Sequence, residues 1–261
     1  MTQNGPERDH STVSKVGLPL LGVVAAVGLW WLATIVYHVR AFLVPSPPDV
    51  IRSLLQEHTL LLQAAGVTLK ESLAGFAIAS SGAVLLALIL TSSWPLRQAI
   101  MPVLVAANSI PKLAIAPLLV IWMGFGQLPK VIMVVLLCFF PVLLSAISGL
   151  TSTPADFDEL GRALSASRLK TFTRIRMPWA MPQIFVGLKV AVSLAVIGAV
   201  VAEYVNSTEG LGYVILTAGP QGETSLAFAA VTLLTVESAG LYLLLVAAQK
   251  IAVPWARETV A

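Results

Sequence analysis

Charge is what this chain most lacks. Asp, Glu, Lys and Arg make up 11% of its 261 residues, against about 25% in an ordinary soluble domain. With 57% hydrophobic residues, there is too little polar surface to keep the apolar side chains in water, so lipid is the solvent for most of the chain. Cysteine is nearly absent too. Cys138 is the one thiol, which excludes an intrachain disulfide, and inside the apolar run 131–150 it reads as a small buried apolar residue. His10, His38 and His58 are scattered without metal-ligand spacing, so no metal site is expected. There is no G-x-x-x-x-G-K-[ST] phosphate loop, and the chain is therefore not expected to bind or hydrolyse ATP itself. H-E-x-x-H, C-x-x-C and G-x-S-x-G are missing as well, and no His or acidic cluster offers a membrane-embedded enzyme its catalytic groups. No repeat of fixed period is visible, whereas a self-sufficient secondary transporter, the rival from another class, would normally show inverted repeats.

What is there is a series of apolar runs, each close to the roughly 20 residues that cross a bilayer. Residues 16–39 carry no Lys, Arg, Asp or Glu. That run is too long for the apolar core of a signal peptide and reads as a retained span. Further spans are placed within 72–96, at 113–129 (broken by Pro117, with 98–111 recruited as an interfacial or re-entrant helix), and at 131–150, 181–202 and 226–253. Pro45-Ser46-Pro47-Pro48 stops any helix and turns the chain into a short surface helix over 49–62. Six spans put both tails on one side. Arg8, Lys15, Arg97, Arg162, Arg168, Lys170, Arg174, Arg176, Lys250 and Arg257 then share that side, against Arg40, Arg52, Lys70 and Lys130 on the other, with Lys112 and Lys189 unassigned: ten against four. The positive-inside rule makes the tail side cytoplasmic. The net charge of +3 is thus a matter of membrane topology rather than of nucleic-acid binding. The reading is an all-α polytopic membrane protein with a tail over 1–15, a single membrane domain over 16–255 and a tail over 256–261.

The longest cytoplasmic loop, 151–178, is also the most charged stretch. Thr153-Pro154-Ala155-Asp156 is a helix-start signal. Phe157, Leu160 and Leu164 follow at i, i+3 and i+7, a single apolar stripe. Ser165-Ala166-Ser167 turns the chain, and Ser167 caps a second, basic helix over 168–176, after which Pro178 and Pro182 begin the fifth span. An amphipathic helix joined to two spans can dock in a partner's groove and transmit its movement. Equally, it can lie on anionic lipid.

Glu159-Leu160-Gly161-Arg162-Ala163-Leu164-Ser165, followed by Ile175-Arg176-Met177-Pro178, resembles the EAA loop of binding-protein-dependent ABC importer permeases. Glu159, Ile175 and Pro178 stand at that pattern's positions. Leu160 and Gly161 replace its two alanines, Ser165 its glycine and Met177 its leucine. Leu43-Val44-Pro45-Ser46-Pro47-Pro48, Ile110-Pro111-Lys112-Leu113-Ala114-Ile115-Ala116-Pro117, Gly187-Leu188-Lys189 and Glu209-Gly210-Leu211-Gly212 extend the resemblance to the nitrate, sulfonate and taurine branch, over roughly 15–255. The resemblance implies the type I importer permease fold, a second permease copy, a cytoplasmic ATP-binding subunit dimer that holds the ATP, and an extracytoplasmic solute-binding protein, all at the bacterial inner membrane. It implies that Phe157, Glu159, Leu160, Gly161, Leu164, Ser165, Ile175 and Pro178 couple the spans to the ATPase. The solute implied is a small anion such as an aliphatic sulfonate, taurine or nitrate, with a pyrimidine precursor or riboflavin as the alternative. Three charges in or at the ends of spans are candidates for the substrate path: Lys189, which could also snorkel; Glu237, near the middle of the sixth span, where an ionised group needs a partner or a polar cavity; and Glu203, which could also be a solvated loop residue.

Overall fold

In the computed structural model, residues 12–154, 156, 157, 159 and 167–258 are described, and among them helices carry nearly all of the regular structure, with no strand. The elements in order are α1 (Thr12–Val36), α2 (Pro47–Gln56), α3 (His58–Ser92), α4 (Trp94–Asn108), α5 (Lys112–Met123), α6 (Gln127–Thr151), α7 (Met177–Asn206), α8 (Leu211–Ala218) and α9 (Thr224–Ala252). A helical turn, Arg168–Thr171, and a π-helical turn, Phe172–Arg176, lead into α7, and a 3₁₀ turn, Pro254–Glu258, follows α9. Among the described residues, four helical stretches are long and apolar enough to cross a membrane: α3, α6, α9, and the run from Phe172 to Val205. The α4–α5 pair makes a fifth, bent by 88°. α1 is 25 residues long, and its apolar part, Leu21–Val36, forms a shorter helix. Leu21, Leu29, Leu32 and Ile35 on α1 are all exposed, as the side chains of a lipid-facing helix are.

The core is a three-helix sandwich with α6 in the middle, α3 on one side and α7 on the other. Small residues make the approach close. A Cβ on Gly75 of α3 would meet the Val131 carbonyl at 2.9 Å. On the other side, a Cβ on Gly187 would lie 2.5 Å from Ser145 Cβ, and one on Gly149 2.8 Å from the Ala180 carbonyl. Val134, Cys138, Val142 and Ala146 on α6 are fully buried between Ala79, Ala83 and Ala87 on α3 and Ala191, Ala195 and Ala199 on α7. Cys138 is buried, as expected, and its thiol donates to the Ala191 carbonyl at 3.1 Å.

Three boundaries differ from the sequence reading. The second span begins at His58 rather than near residue 72, because Lys70 and Glu71 lie inside the helix, and the surface helix ends at Gln56. In the third span the break falls at Ser109–Pro111, and Pro117 lies within α5. Pro117 sits in the second turn, where its missing N–H removes a single ladder bond. Pro111 pushes its predecessor out of the helical region and ends α4. Third, the basic segment after Ser167 is no separate helix. It runs on into α7, and the π turn absorbs Pro178, whose ring and missing N–H disturb the turn ending at Arg174.

Candidate functional site

Two ends of the bundle and one groove between them carry the polar groups. At the first end α3, α6 and α7 bring buried charges together. Lys130 on α6 donates to Glu71 Oε1 on α3 at 2.8 Å and to Ser207 Oγ at 2.7 Å. Thr68, one turn before Glu71, donates to Glu203 Oε1 on α7 at 2.7 Å, and its hydroxyl oxygen accepts the Leu211 N–H at 2.9 Å. The Gly212 N–H donates to Glu203 Oε2 at 2.5 Å. Glu71 is 2% exposed, Lys130 6%, and Thr68 and Glu203 are fully enclosed. Ser207 also holds the turn after α7, its hydroxyl donating to the Glu209 carbonyl and accepting the Glu209 N–H. Gly210 has φ +101°, and a Cβ there would collide with the Glu203 carboxyl group. Only glycine combines that backbone with that proximity. Glu71, Lys130, Ser207 and Glu209 line a pocket of about 310 Å³ beside this clamp.

At the opposite end lies the loop that joins α6 to α7. Leu160, Gly161, Leu164 and Ser165 lie outside the described residues. Phe157 stacks at a tilt on Trp179, in the first turn of α7, with ring centroids 5.4 Å apart. Glu159 is exposed. Ser167 caps as read from the sequence: its hydroxyl accepts the Lys170 N–H at 3.3 Å and its carbonyl the Thr171 N–H at 3.0 Å. Ile175 falls in the π turn and Pro178 at the second residue of α7. Phe157, Ile175 and Pro178 thus gather at the foot of α7.

Between the ends, α7, α8 and α9 border an open groove of about 790 Å³. Ser193 and Tyr204 of α7 and Thr235, Ser238 and Tyr242 of α9 turn toward it, and none of its lining residues is charged. Glu203 belongs to the clamp, and its neighbour Tyr204 lines the groove. Lys189 is half-buried, one helical turn from Ser193. Glu237 is half-buried next to Ser238, and both its carboxylate oxygens are enclosed with no hydrogen-bond donor among the described residues. At the break between α4 and α5, Lys112 donates to Asn108 Oδ1 at 2.5 Å.

Sequence reasoning missed Thr68, Glu71 and Lys130. The signal was the pair of charges at 70–71, at the margin of an otherwise apolar run. The hydroxyl stripe Thr235, Ser238 and Tyr242 was legible in principle as i, i+3, i+7.

The arrangement is that of a membrane bundle with a polar groove, a clamped end and a loop-bearing end. Residues 80–258 match a family described as binding-protein-dependent transport system inner membrane component. The chain belongs to that family. The permease is 37% identical to a probable ABC transporter permease protein of Haemophilus influenzae, covering 86% of this chain and 91% of the relative. It is 35% identical to the formylaminopyrimidine transport permease of Halalkalibacterium halodurans (67% and 70% covered) and 33% identical to the riboflavin transport system permease of Chloroflexus aurantiacus (92% and 90%). At lower identity, 28% over 97% of each chain, stands the taurine transport system permease of Escherichia coli. The permease is an all-α, multi-pass inner-membrane transport component, as the resemblance implied.

Proposed function

We propose that this permease is the translocating subunit of an ATP-driven importer. It pairs with a second copy, its loop end facing the cytoplasm and docked on an ATP-binding subunit dimer. A solute-binding protein delivers cargo at the clamp end. The observation that carries this reading is the contact of Phe157 with Trp179, which ties the loop to the foot of α7. A push on the loop then reaches α7 through packed rings and a continuous helix rather than through slack chain. The ten-to-four partition of basic residues supports the orientation. The loop residues Glu159, Leu160, Gly161, Leu164 and Ser165 make the remaining contact with the ATPase.

The solute we favour is a neutral or weakly basic heteroaromatic compound, such as a pyrimidine precursor or a riboflavin-like ring. The groove offers hydroxyls and apolar surface without a fixed positive charge. The relatives named for formylaminopyrimidine and riboflavin are also more similar to this chain than the one named for taurine. A second reading, a small anion such as taurine, an aliphatic sulfonate or nitrate, draws support from the relative named for taurine transport, which matches over nearly the whole chain. Lys189 and Glu237 flank the path in either case.

The test is reconstitution of the permease with its ATPase and binding protein in liposomes, with uptake of labelled formylaminopyrimidine, riboflavin and taurine measured side by side. ATP-dependent uptake of a ring compound is expected. Uptake of taurine alone replaces the first solute class by the second. A permease that never co-purifies with the ATPase, or uptake unchanged by both Glu159→Ala and Leu164→Asp, overturns the coupled-importer reading.

A further inference from the structure

The foot of α7 receives a second contact, from the other end of the chain. α9 stops at Ala252, Pro254 follows, and residues 254–258 coil into a 3₁₀ turn. Val253 anchors that turn: it is 2% exposed, and its N–H bonds the Gln249 carbonyl at 2.8 Å. From this base the Trp255 indole N–H donates to the Pro178 carbonyl at 3.3 Å.

The acceptor is not an arbitrary carbonyl. In a helix the carbonyl of residue 178 is served by the N–H of residue 182, and residue 182 is proline, which has none. Trp255 supplies the donor that Pro182 withholds. The next residue, Trp179, is the one that Phe157 stacks on. Two consecutive residues at the start of α7 therefore hold the loop on one hand and the end of α9 on the other. The α7–α9 groove, with its hydroxyls from both helices, lies farther along the same two helices.

From this geometry we infer that Trp255 is a positioning residue: it braces the end of α9 to the foot of α7, so that a displacement entering at Phe157 moves both walls of the groove together. The inference rests on the coupled-importer reading. It assigns the C-terminal turn a part in transmission that the loop alone does not provide. Without the brace, α7 would answer the loop while α9 lagged, and the groove would change width without completing a cycle.

The experiment has two arms. In the first, the permease alone, in detergent, carries spin labels at Val186→Cys on α7 and Leu244→Cys on α9, both exposed, in a Cys138→Ser background. Trp255→Phe keeps the ring and removes the donor, and the label-to-label distance distribution is expected to broaden relative to Trp255. In the second arm, the full complex in liposomes is scored for solute imported per ATP hydrolysed. Trp255→Phe is expected to lower that ratio about threefold, the scale of one net hydrogen bond lost, with ATP hydrolysis itself maintained. Trp255→His, which restores an N–H donor, is expected to recover part of the ratio. A distance distribution unchanged in both Trp255→Phe and Trp255→Ala, or a ratio unchanged in both, overturns the brace. The first arm needs neither ATPase nor solute, so a complex that imports nothing in the second arm counts against the importer reading and leaves the brace to be judged by the label distances.

Discussion

The two ends of this bundle are built on opposite physics. At the clamp end, acidic, basic and hydroxyl groups from α3, α6 and α7 are buried and hydrogen-bonded to one another. A buried ion pair of this sort contributes little net stability while intact, but it makes any rearrangement costly, because a separated partner is left charged in a medium that cannot solvate it. At the loop end, the described contacts that tie the loop and the end of α9 to α7 include two half-exposed aromatic rings and an indole hydrogen bond, around a helix start disturbed by Pro178 and Pro182. Such contacts slide and re-form at small cost. The comparison teaches where this permease is rigid and where it yields: one end keeps three helices in register, and the other accepts displacement.

The sharpest way to break that contrast is to remove the ammonium at its centre. Lys130→Met leaves Glu71 buried without its partner and is expected to cost about 3–5 kcal/mol, read as a lowered melting temperature of the detergent-solubilised protein. The double variant Lys130→Met with Glu71→Gln is expected to lose less than Lys130→Met alone. Equal loss in both would show that packing, and not charge, holds this end. Gly210→Ala is the next largest. It places a Cβ against the Glu203 carboxyl group at φ +101° and is expected to cost about 1–3 kcal/mol in the same assay. Phe157→Ala, at the yielding end, removes a ring pair worth about 0.5–1.5 kcal/mol. Its melting temperature is expected to stay close to that of the parent while ATP-driven uptake falls. A Phe157→Ala protein as destabilised as Lys130→Met would erase the distinction between the ends.

Much of this was legible in the sequence where the cause is local. The apolar runs placed the helices, and Ser167 declared itself as a cap before the basic turn. The i, i+3, i+7 stripe through Phe157 pointed at the loop as an object with one apolar side. Where the cause is distant, the sequence misled. Lys130 reads as an ordinary loop charge because its partners, Glu71 and Ser207, are 59 and 77 positions away. Glu203 reads as a loop glutamate because Thr68, which engages it, is 135 positions away. The α4–α5 bend was anticipated but put at Pro117 instead of Pro111, since spacing shows that a proline is present but not which carbonyl the fold can leave unserved.

The separation of the clamp's members along the chain also dictates the order of assembly. A ribosome delivers Thr68 and Glu71 first, Lys130 later, and Glu203 later still, so the early glutamate enters the bilayer before its counter-ion exists. Until α6 arrives, the Glu71 carboxyl group on α3 lacks the Lys130 ammonium, and in a chain truncated before residue 203 the Thr68 hydroxyl has the Ala64 carbonyl of its own helix, at 3.2 Å, in place of Glu203. Completion of the clamp is therefore the step at which α3, α6 and α7, delivered at different times, become joined at this end.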